Sequence, residues 1–315
     1  MSVFFVALMY AAWSSVFSLG KLALEHSPPL FLTAFRMLFA AVLILSFLLI
    51  TKRSSLKLSL RQFISVLLLA FFSIYLTNTL EFWGLQYLSA AKTCFIYSLS
   101  PFFAALFSYI HFNEKMNPRK WLGLSIGFIG FIPVLFTQTG SEELLNAFSF
   151  FSWPTLAIMG AALSSVYGWV LLRLMVKEQE ITPLVANGTS MLFGGLFALI
   201  HSYLIEPGAP FPIAPLHFTS FVKGVVLITV ISNLICYNLY GMFLKKYTAT
   251  FLSFVGLLSP IFASLNAWIF LGETPSWIIF LSTSIVSIGL WIVYCAELKQ
   301  GYILSSKIPI SSVEN

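Results

Sequence analysis

Aspartate is absent from all 315 residues, and charged residues of every kind make up only 9% of the chain. Soluble globular domains carry about 25% charged residues, whereas here 59% of the residues are hydrophobic and the mean hydropathy is +0.92. The lack of aspartate excludes EF-hand calcium loops and the aspartate-dependent magnesium sites of nucleotide-hydrolysing enzymes and kinases. The composition excludes a water-soluble fold and indicates an integral membrane protein.

Cysteine and histidine are also scarce, with three and four residues. Cys94, Cys236 and Cys295 lie far apart in apolar stretches, without disulfide or metal-ligand spacing. The histidines form no zinc-binding motif, and the sequence has neither a GxxxxGK[ST] phosphate loop nor a GxSxG nucleophile elbow. We therefore expect no catalytic residues, no bound metal and no cofactor.

Ten apolar stretches are long enough to cross a bilayer as helices, which takes about 20 residues each. Short polar turns or Pro and Gly residues separate them. The first stretch lacks the basic start and cleavage site of a signal peptide, so we expect it to be retained. The predicted spans are residues 3–23, 30–50, 63–83, 89–111, 120–137, 153–175, 183–205, 221–243, 249–271 and 276–296.

Lysine and arginine are concentrated in alternate connections between these spans. If the N-terminus is cytoplasmic, 13 of the 17 basic residues fall in cytoplasmic segments, and only Lys21 and Lys223 fall in outer ones. Because cytoplasmic loops retain basic residues, we predict a multi-pass protein of the cytoplasmic (inner) membrane with both termini inside. The same bias explains the formal charge of +6, so the expected surroundings are lipid and not nucleic acid.

The chain repeats itself. Ala11 to Phe17 (AAWSSVF) returns as Ala161 to Tyr167 (AALSSVY), and Met37-Leu38-Phe39 returns as Met191-Leu192-Phe193. The fourth and ninth spans match best, as SPFFAAL from Ser100 and SPIFASL from Ser259. The repeating unit is five spans, and an odd number means that the second copy enters the membrane upside down. Inverted repeats of this kind are typical of transporters, whose substrate site lies where the halves meet.

These residues resemble the drug/metabolite transporters that are built from two EamA domains. The resemblance covers residues 1–297, and its most specific parts are Gly84-Leu85-Gln86-Tyr87-Leu88-Ser89-Ala90-Ala91 followed by Ser100-Pro101 and Glu114, and the counterpart Ser259-Pro260 with Glu273. It implies an all-α integral membrane protein of ten transmembrane helices in two inverted five-helix repeats. We expect these repeats at residues 1–148 and 149–297, with a cytoplasmic tail over 298–315.

Apart from basic residues at the ends of spans, three charged side chains fall inside predicted spans, where each costs roughly 2.5–3.5 kcal/mol to insert. Arg36, Glu81 and Lys92 all lie in the outer third of their spans, at similar depths. We predict an outward-facing charged cluster that binds a charged or zwitterionic substrate. The alternative is a structural ion pair, or snorkelling to the interface. Glu81 is the only carboxylate inside a predicted span, so any proton coupling would use it.

Polar and aromatic side chains add to this predicted pocket. Tyr75, Asn78 and Glu81 are spaced by three and share one face of the third span. The eighth span repeats the pattern, and deep tryptophans can stack on a planar or cationic ligand. Each asparagine has the alternative of bonding helix to helix. The further candidates for substrate binding are Trp13, Tyr97, Trp169, Asn233, Tyr237 and Asn266.

Pro101 and Pro260 occupy matching positions near the middle of the fourth and ninth spans. Proline removes a backbone hydrogen bond and opens the helix, so we predict paired kinks that take part in gating, with static kinks as the alternative. Glu114 and Glu273 end these two helices, and we expect them to cap or pair structurally.

Small residues allow close helix approach in the fifth span, where Gly123, Gly127 and Gly130 are spaced for packing. This pattern favours packing inside the bundle, and it also allows a homodimer.

The sequence therefore favours a secondary transporter that moves a small-molecule substrate by alternating access. Carboxylate, cation, amides and aromatics together suit an amino acid or a nucleoside-bearing amino acid better than a sugar phosphate. Within the family the chain is similar to carriers of S-adenosylmethionine and S-adenosylhomocysteine, which implies uptake of the first in exchange for the second. The alternatives are an amino-acid or drug/metabolite exporter of the same family, a membrane-embedded lipid-modifying enzyme, and a channel or non-transporting scaffold.

Overall fold

A computed structural model describes residues 3–112, 117–135, 152–208, 211–245, 247, 252, 255–274 and 276–300. This part of the chain is helical apart from short connections. Its ten helices are α1 Val3–Leu24, α2 Pro29–Thr51, α3 Leu60–Leu85, α4 Ala90–His111, α5 Pro118–Leu135, α6 Trp153–Glu178, α7 Pro183–Ile205, α8 Pro215–Phe243, α9 Ser259–Leu271 and α10 Trp277–Lys299.

Eight of the described helices are long and apolar enough to cross a membrane, judged by length and composition. The two others are α5 and α9. Helix α5 has 18 residues and carries Arg119 and Lys120 in its first turn, whereas α9 has only 13 residues. The first half of the predicted ninth span, before Val255, lies largely outside the described residues. The all-α membrane fold predicted from the sequence is confirmed.

Hydroxyl caps and prolines define where several helices begin. Ser89, Ser152 and Thr182 accept hydrogen bonds from the backbone N–H three residues further on, which pairs a donor that the first turn leaves free. Proline occupies the first turn of α2, α6 and α7, where its missing N–H costs nothing. Turn chemistry therefore sets the helix starts within otherwise apolar sequence.

Contacts between helix ends show that the two halves run in opposite directions. We call the end of the bundle where α1 ends the upper end, and the opposite one the lower end. At the upper end, Lys21 of α1 pairs with Glu273 after α9, with 2.9 Å between Nζ and Oε1. At the lower end, the Gln62 side chain near the start of α3 donates to the Gln179 carbonyl after α6 at 3.1 Å. Because α6 ends at the lower end, it runs opposite to α1, as inverted repeats require.

The third and fourth helices of each half share the same irregularities. Helix α3 contains a π-helical segment at Ala70–Leu76, and α8 contains one at Thr229–Cys236, whose start lies 159 residues later. A 3₁₀ turn at Tyr97–Leu99 precedes Pro101, and another at Gly256–Leu258 precedes Pro260, again 159 residues apart. A 3₁₀ turn therefore lies just before each of the two prolines, and kinks that take part in gating remain a prediction.

The glycines of α5 pack inside the bundle against α10. A Cβ added to Gly123 would lie 2.5 Å from the Gly289 carbonyl oxygen, and one added to Gly289 would lie 2.6 Å from that of Gly123. A Cβ on Gly127 would overlap the Phe102 ring. Close backbone approach thus uses the small-residue pattern within one molecule, and the homodimer remains a prediction.

We expect Gly289→Ala to destabilise the fold, because the added methyl group would meet backbone atoms that cannot turn aside. Overpacking of this kind costs about 1–3 kcal/mol. The measurement is the thermal unfolding midpoint of purified protein in detergent. Ser284→Ala, on the exposed face of the same helix, is the matched control and should leave the midpoint unchanged. Equal midpoints for the two variants would show that α5 and α10 are not in backbone contact.

Candidate substrate-binding site

A cavity lies in the interior of the bundle between the two halves. Helices α1, α2, α3 and α4 of the first half line it together with α6, α8 and the turn before α9 of the second. Seven of the eleven candidate residues from the sequence line this cavity: Trp13, Arg36, Asn78, Glu81, Tyr97, Trp169 and Tyr237. Both halves therefore contribute to one site.

Arg36 places a cation inside the bundle. Its side chain is 1% exposed, its Nη2 donates to Asn78 Oδ1, and its guanidinium lies 4.6 Å from the centroid of the Phe82 ring. Nε and Nη1 have no hydrogen-bond partner among the described residues. An unpaired buried donor is costly, more so on a charged group, so these nitrogens are suited to an acceptor supplied by a ligand.

The π-helical segment of α3 orients the amide that meets Arg36. Asn78 follows this segment, and its Nδ2 donates to the carbonyls of Ile74 at 2.7 Å and Ser73 at 3.3 Å. Bonding in a π-helix runs from i to i+5 and often marks functional sites. Because both amide hydrogens are directed to the backbone, Oδ1 is the atom of Asn78 that faces Arg36.

Glu81 provides the carboxylate of the cavity. The Tyr97 hydroxyl donates to its Oε2 at 2.5 Å, which fixes the carboxyl group against α4. Glu81 and Arg36 line the same cavity, yet the two side chains, both in the described part of the chain, form no ion pair. One cavity thus presents a cation and a carboxylate that do not neutralise each other by direct contact.

Five aromatic rings form a second feature of the cavity, which we call the aromatic cluster: Tyr10, Trp13, Trp169, Tyr237 and Tyr240. The Trp13 centroid lies 5.7 Å from that of Trp169 and 5.5 Å from that of Tyr237. Trp169 lies 4.3 Å from Tyr240, also between centroids. The rings come from α1, α6 and α8, and the packing of these three helices brings them together.

Tyr75 does not join the cavity, although its spacing from Asn78 predicted a shared face. Its hydroxyl lies 3.0 Å from Nδ1 of His201 on α7. The π-helical segment Ala70–Leu76 includes Tyr75, and its wider turn changes the angle per residue. The interval of three therefore no longer returns to the same face, and Thr77 lines the cavity instead.

Lys92 is buried in α4, but it is not among the residues that line the cavity. The α4 residues that line it are Cys94, Tyr97, Ser98, Ser100 and Ala104. Lys92 precedes Cys94 by two residues, or about 200° around a helix, which points it to the opposite side. The structure therefore brings together two members of the predicted three-charge cluster.

Asn233 and Asn266 are interior residues that bond between helices. Asn233 Nδ2 contacts the Met37 sulfur at 2.9 Å, and Asn266 Nδ2 donates to the Ser14 hydroxyl at 3.4 Å. Neither asparagine lines the cavity, whereas Ser14 does. Both asparagines therefore bond one helix to another, which is the alternative that the sequence left open.

Of the two terminal glutamates, Glu273 pairs with Lys21 across the halves, as a structural role predicts. Glu114 lies outside the described residues.

Sequence reasoning missed several lining residues. Tyr10 lies one turn before Trp13, so helical spacing from a tryptophan already chosen could have identified it. Phe17 lies one turn after Trp13 and stacks near Tyr97, with 5.6 Å between centroids. Serines carry no comparable signal because they are common in apolar helices, and those that line the cavity are Ser14, Ser98, Ser100, Ser165, Ser232 and Ser259.

Comparisons with known proteins agree with this architecture. A protein from Chlamydia trachomatis serovar L2 named as an S-adenosylmethionine/S-adenosylhomocysteine transporter is 39% identical over 310 residues, covering 98% of this chain and 93% of its own. A protein of the same name from Chlamydia muridarum is 37% identical, covering 98% and 96%.

A solved crystal structure matches the fold with a TM-score of 0.69 over 94% of this chain and 97% of its own, at 16% identity. The model of the EamA-like transporter family matches residues 1–136 and 152–295. This chain, a multi-pass membrane protein with its cavity between two inverted halves, therefore belongs to the EamA-like transporter family.

Proposed function

We propose that the protein exchanges S-adenosylmethionine for S-adenosylhomocysteine across the cytoplasmic membrane. The observation that carries this proposal is the pair formed by Arg36 and Glu81, which face one cavity without neutralising each other. The named relatives at 37–39% identity support the same substrates. Because those relatives and the family are transporters, we do not retain the alternative of a lipid-modifying enzyme.

The amino-acid end common to both metabolites matches the charges of the cavity. Its carboxylate can accept charge-assisted hydrogen bonds from the Arg36 nitrogens that lack partners, and its ammonium group can donate to Glu81. Charge-assisted hydrogen bonds are roughly twice as strong as neutral ones. The Tyr97 hydroxyl holds Glu81 in place, which prepares the carboxylate before the ligand arrives.

Alternating access requires contacts that close each end of the bundle in turn. At the upper end, Lys21 bonds both Glu273 and the Leu88 carbonyl at 2.9 Å. At the lower end, Gln62 and Gln179 join α3 to α6. We propose that these contacts break alternately between the repeats at residues 1–148 and 149–297. The basic connections at the lower end support a cytoplasmic location for that end.

We expect proteoliposomes that hold the purified protein to show saturable counterflow of labelled S-adenosylmethionine. Glu81→Gln and Arg36→Met should each reduce the initial rate at least about tenfold, because a hydrogen bond to a charged group contributes about 1.5–3 kcal/mol. Glu178→Gln and Arg61→Met remove the same charges from exposed positions, so they serve as matched controls and should retain the wild-type rate.

The same vesicles separate the alternatives within the family. A panel of labelled amino acids, each offered to vesicles loaded with the same unlabelled amino acid, tests amino-acid transport. Counterflow of amino acids alone would replace the proposed substrate and keep the carrier. Full S-adenosylmethionine counterflow in a folded Glu81→Gln variant would contradict the assigned site.

We expect the heteroexchange to be electrogenic, since the sulfonium metabolite carries one more positive charge than its thioether product. A potential of 100 mV, negative inside, contributes about 2.3 kcal/mol per charge, or about 50-fold in the equilibrium ratio. Uptake into vesicles loaded with S-adenosylhomocysteine should therefore rise when valinomycin sets such a potential. Exchange of S-adenosylmethionine for itself moves no net charge and is the control. If the potential changes both exchanges equally, the heteroexchange does not move one net positive charge, and the proposed exchange is wrong.

We expect Glu273→Gln to open the upper end more often, because it weakens the cross-repeat bond to Lys21. Cys94 lines the cavity as a free thiol, so it reports access once Cys236 and Cys295 are replaced by serine. An impermeant maleimide added at the upper side should label Cys94 faster in the variant. Glu25→Gln, at an exposed carboxylate of the same end, is the control. Unchanged labelling would show that the Lys21 pair does not close the cavity.

A further inference from the structure

Most pairs of rings in the aromatic cluster are inclined to one another by 52° or more. Trp13 makes an angle of 82° with Trp169 and 73° with Tyr240, and both Trp13 and Trp169 make 52° with Tyr237. The pair nearest to parallel, Tyr10 and Trp13 at 24°, has centroids 6.1 Å apart, which leaves no room for a base between the rings. The cluster therefore forms a corner of ring surfaces, not a slot for a flat ligand.

A corner of inclined rings is suited to a compact cation. The face of an aromatic ring is negative, and a cation within about 6 Å of the centroid is attracted to it, most strongly by tryptophan and when water is excluded. Several faces at different angles can surround one methylated centre, whereas a planar base contacts one face at a time. Trp169 is 7% exposed and Tyr240 is 3% exposed, so the site is largely dry.

The aromatic cluster and the charged pair line the same cavity, to which Tyr237, Arg36 and Glu81 all contribute. A ligand whose zwitterion occupies that pair extends its side chain toward these rings. Among the described residues that line the cavity, Glu81 is the only carboxylate. A further positive charge on the ligand would find ring faces there in place of a second acid.

We infer that the aromatic cluster is an onium subsite, which binds a sulfonium or quaternary ammonium group carried on the side chain of an amino-acid ligand. The inference rests on the proposed amino-acid site at Arg36 and Glu81. It assigns selectivity to this subsite: the methylated cation binds more tightly than the neutral thioether of similar shape. The ligand class extends to other amino acids with such a group.

The test compares two pairs of ligands that differ by one methyl group and its charge. Dissociation constants of purified protein are measured for S-adenosylmethionine against S-adenosylhomocysteine, and for S-methylmethionine against methionine. The wild type should favour the onium member of each pair. Trp169→Leu should lower this preference about tenfold, while Trp169→Phe should keep part of it. Trp268→Leu, at an exposed tryptophan of α9, should leave it unchanged.

A ratio of dissociation constants within one variant is independent of the folded fraction, so a general loss of folding does not mimic the result. If Trp169→Leu weakens both members of each pair equally, the cluster is structural and the inference is wrong. If the wild type binds both nucleoside ligands without preference, the onium subsite is also wrong while the proposed function stands. If it binds neither, the proposed substrate fails, and the methionine pair still decides the subsite.

Discussion

The guanidinium of Arg36 imposes the strongest physical constraint on this bundle. A cation buried among apolar helices is stable only if polar or negatively charged groups lie next to it. The surroundings consist of the Asn78 oxygen, the face of the Phe82 ring and, across the cavity, Glu81. The π-helical segment of α3 lies just before Asn78. Its carbonyls hold the Asn78 amide so that Oδ1 faces the arginine. Helix geometry, amide orientation and the acid held by Tyr97 therefore form one linked arrangement.

The two halves share this arrangement but not its charge. Asn238 of α8 donates to the carbonyls of Leu234 and Asn233 at 2.9 and 3.2 Å, as Asn78 does in α3. Its Oδ1 accepts from the Asn187 amide at 3.1 Å, where Asn78 accepts from a guanidinium. The first half thus supplies the ionic part of the site. The second half supplies three of the five clustered rings, so the proposed ligand would contact both repeats.

Much of this could be predicted from the sequence, for physical reasons. Apolar length alone locates the spans, because the bilayer requires about 20 such residues, and repeated motifs identify the inverted halves. Seven of the proposed site residues share one cavity, since charged groups, amides and deep tryptophans are costly anywhere but the interior of the bundle. Composition and helical spacing carry that information.

Other features depend on geometry that spacing does not encode. The position of Tyr75 follows from a π-helical segment, and no residue between Ala70 and Leu76 predicts such a segment from the sequence. Lys92 belongs to a stretch, Ala90–Ile96, that is buried on every side, so no amphipathic pattern shows which face meets the cavity. Asn233 is buried and Asn266 is half-buried, but the choice between a neighbouring helix and a ligand depends on distances of a few ångströms.

The connection of Glu206 to α2 has a consequence for biosynthesis. Its carboxylate, at the end of α7, accepts from the backbone N–H groups of Leu30 at 2.7 Å and Phe31 at 2.9 Å, and so caps the first turn of α2. The cap lies 176 residues after Leu30. At 5–20 residues per second, α2 is made roughly ten to thirty seconds before its partner. The start of α2 must therefore depend on water or lipid headgroups during synthesis, and the first half reaches its final hydrogen bonding only when the second half arrives.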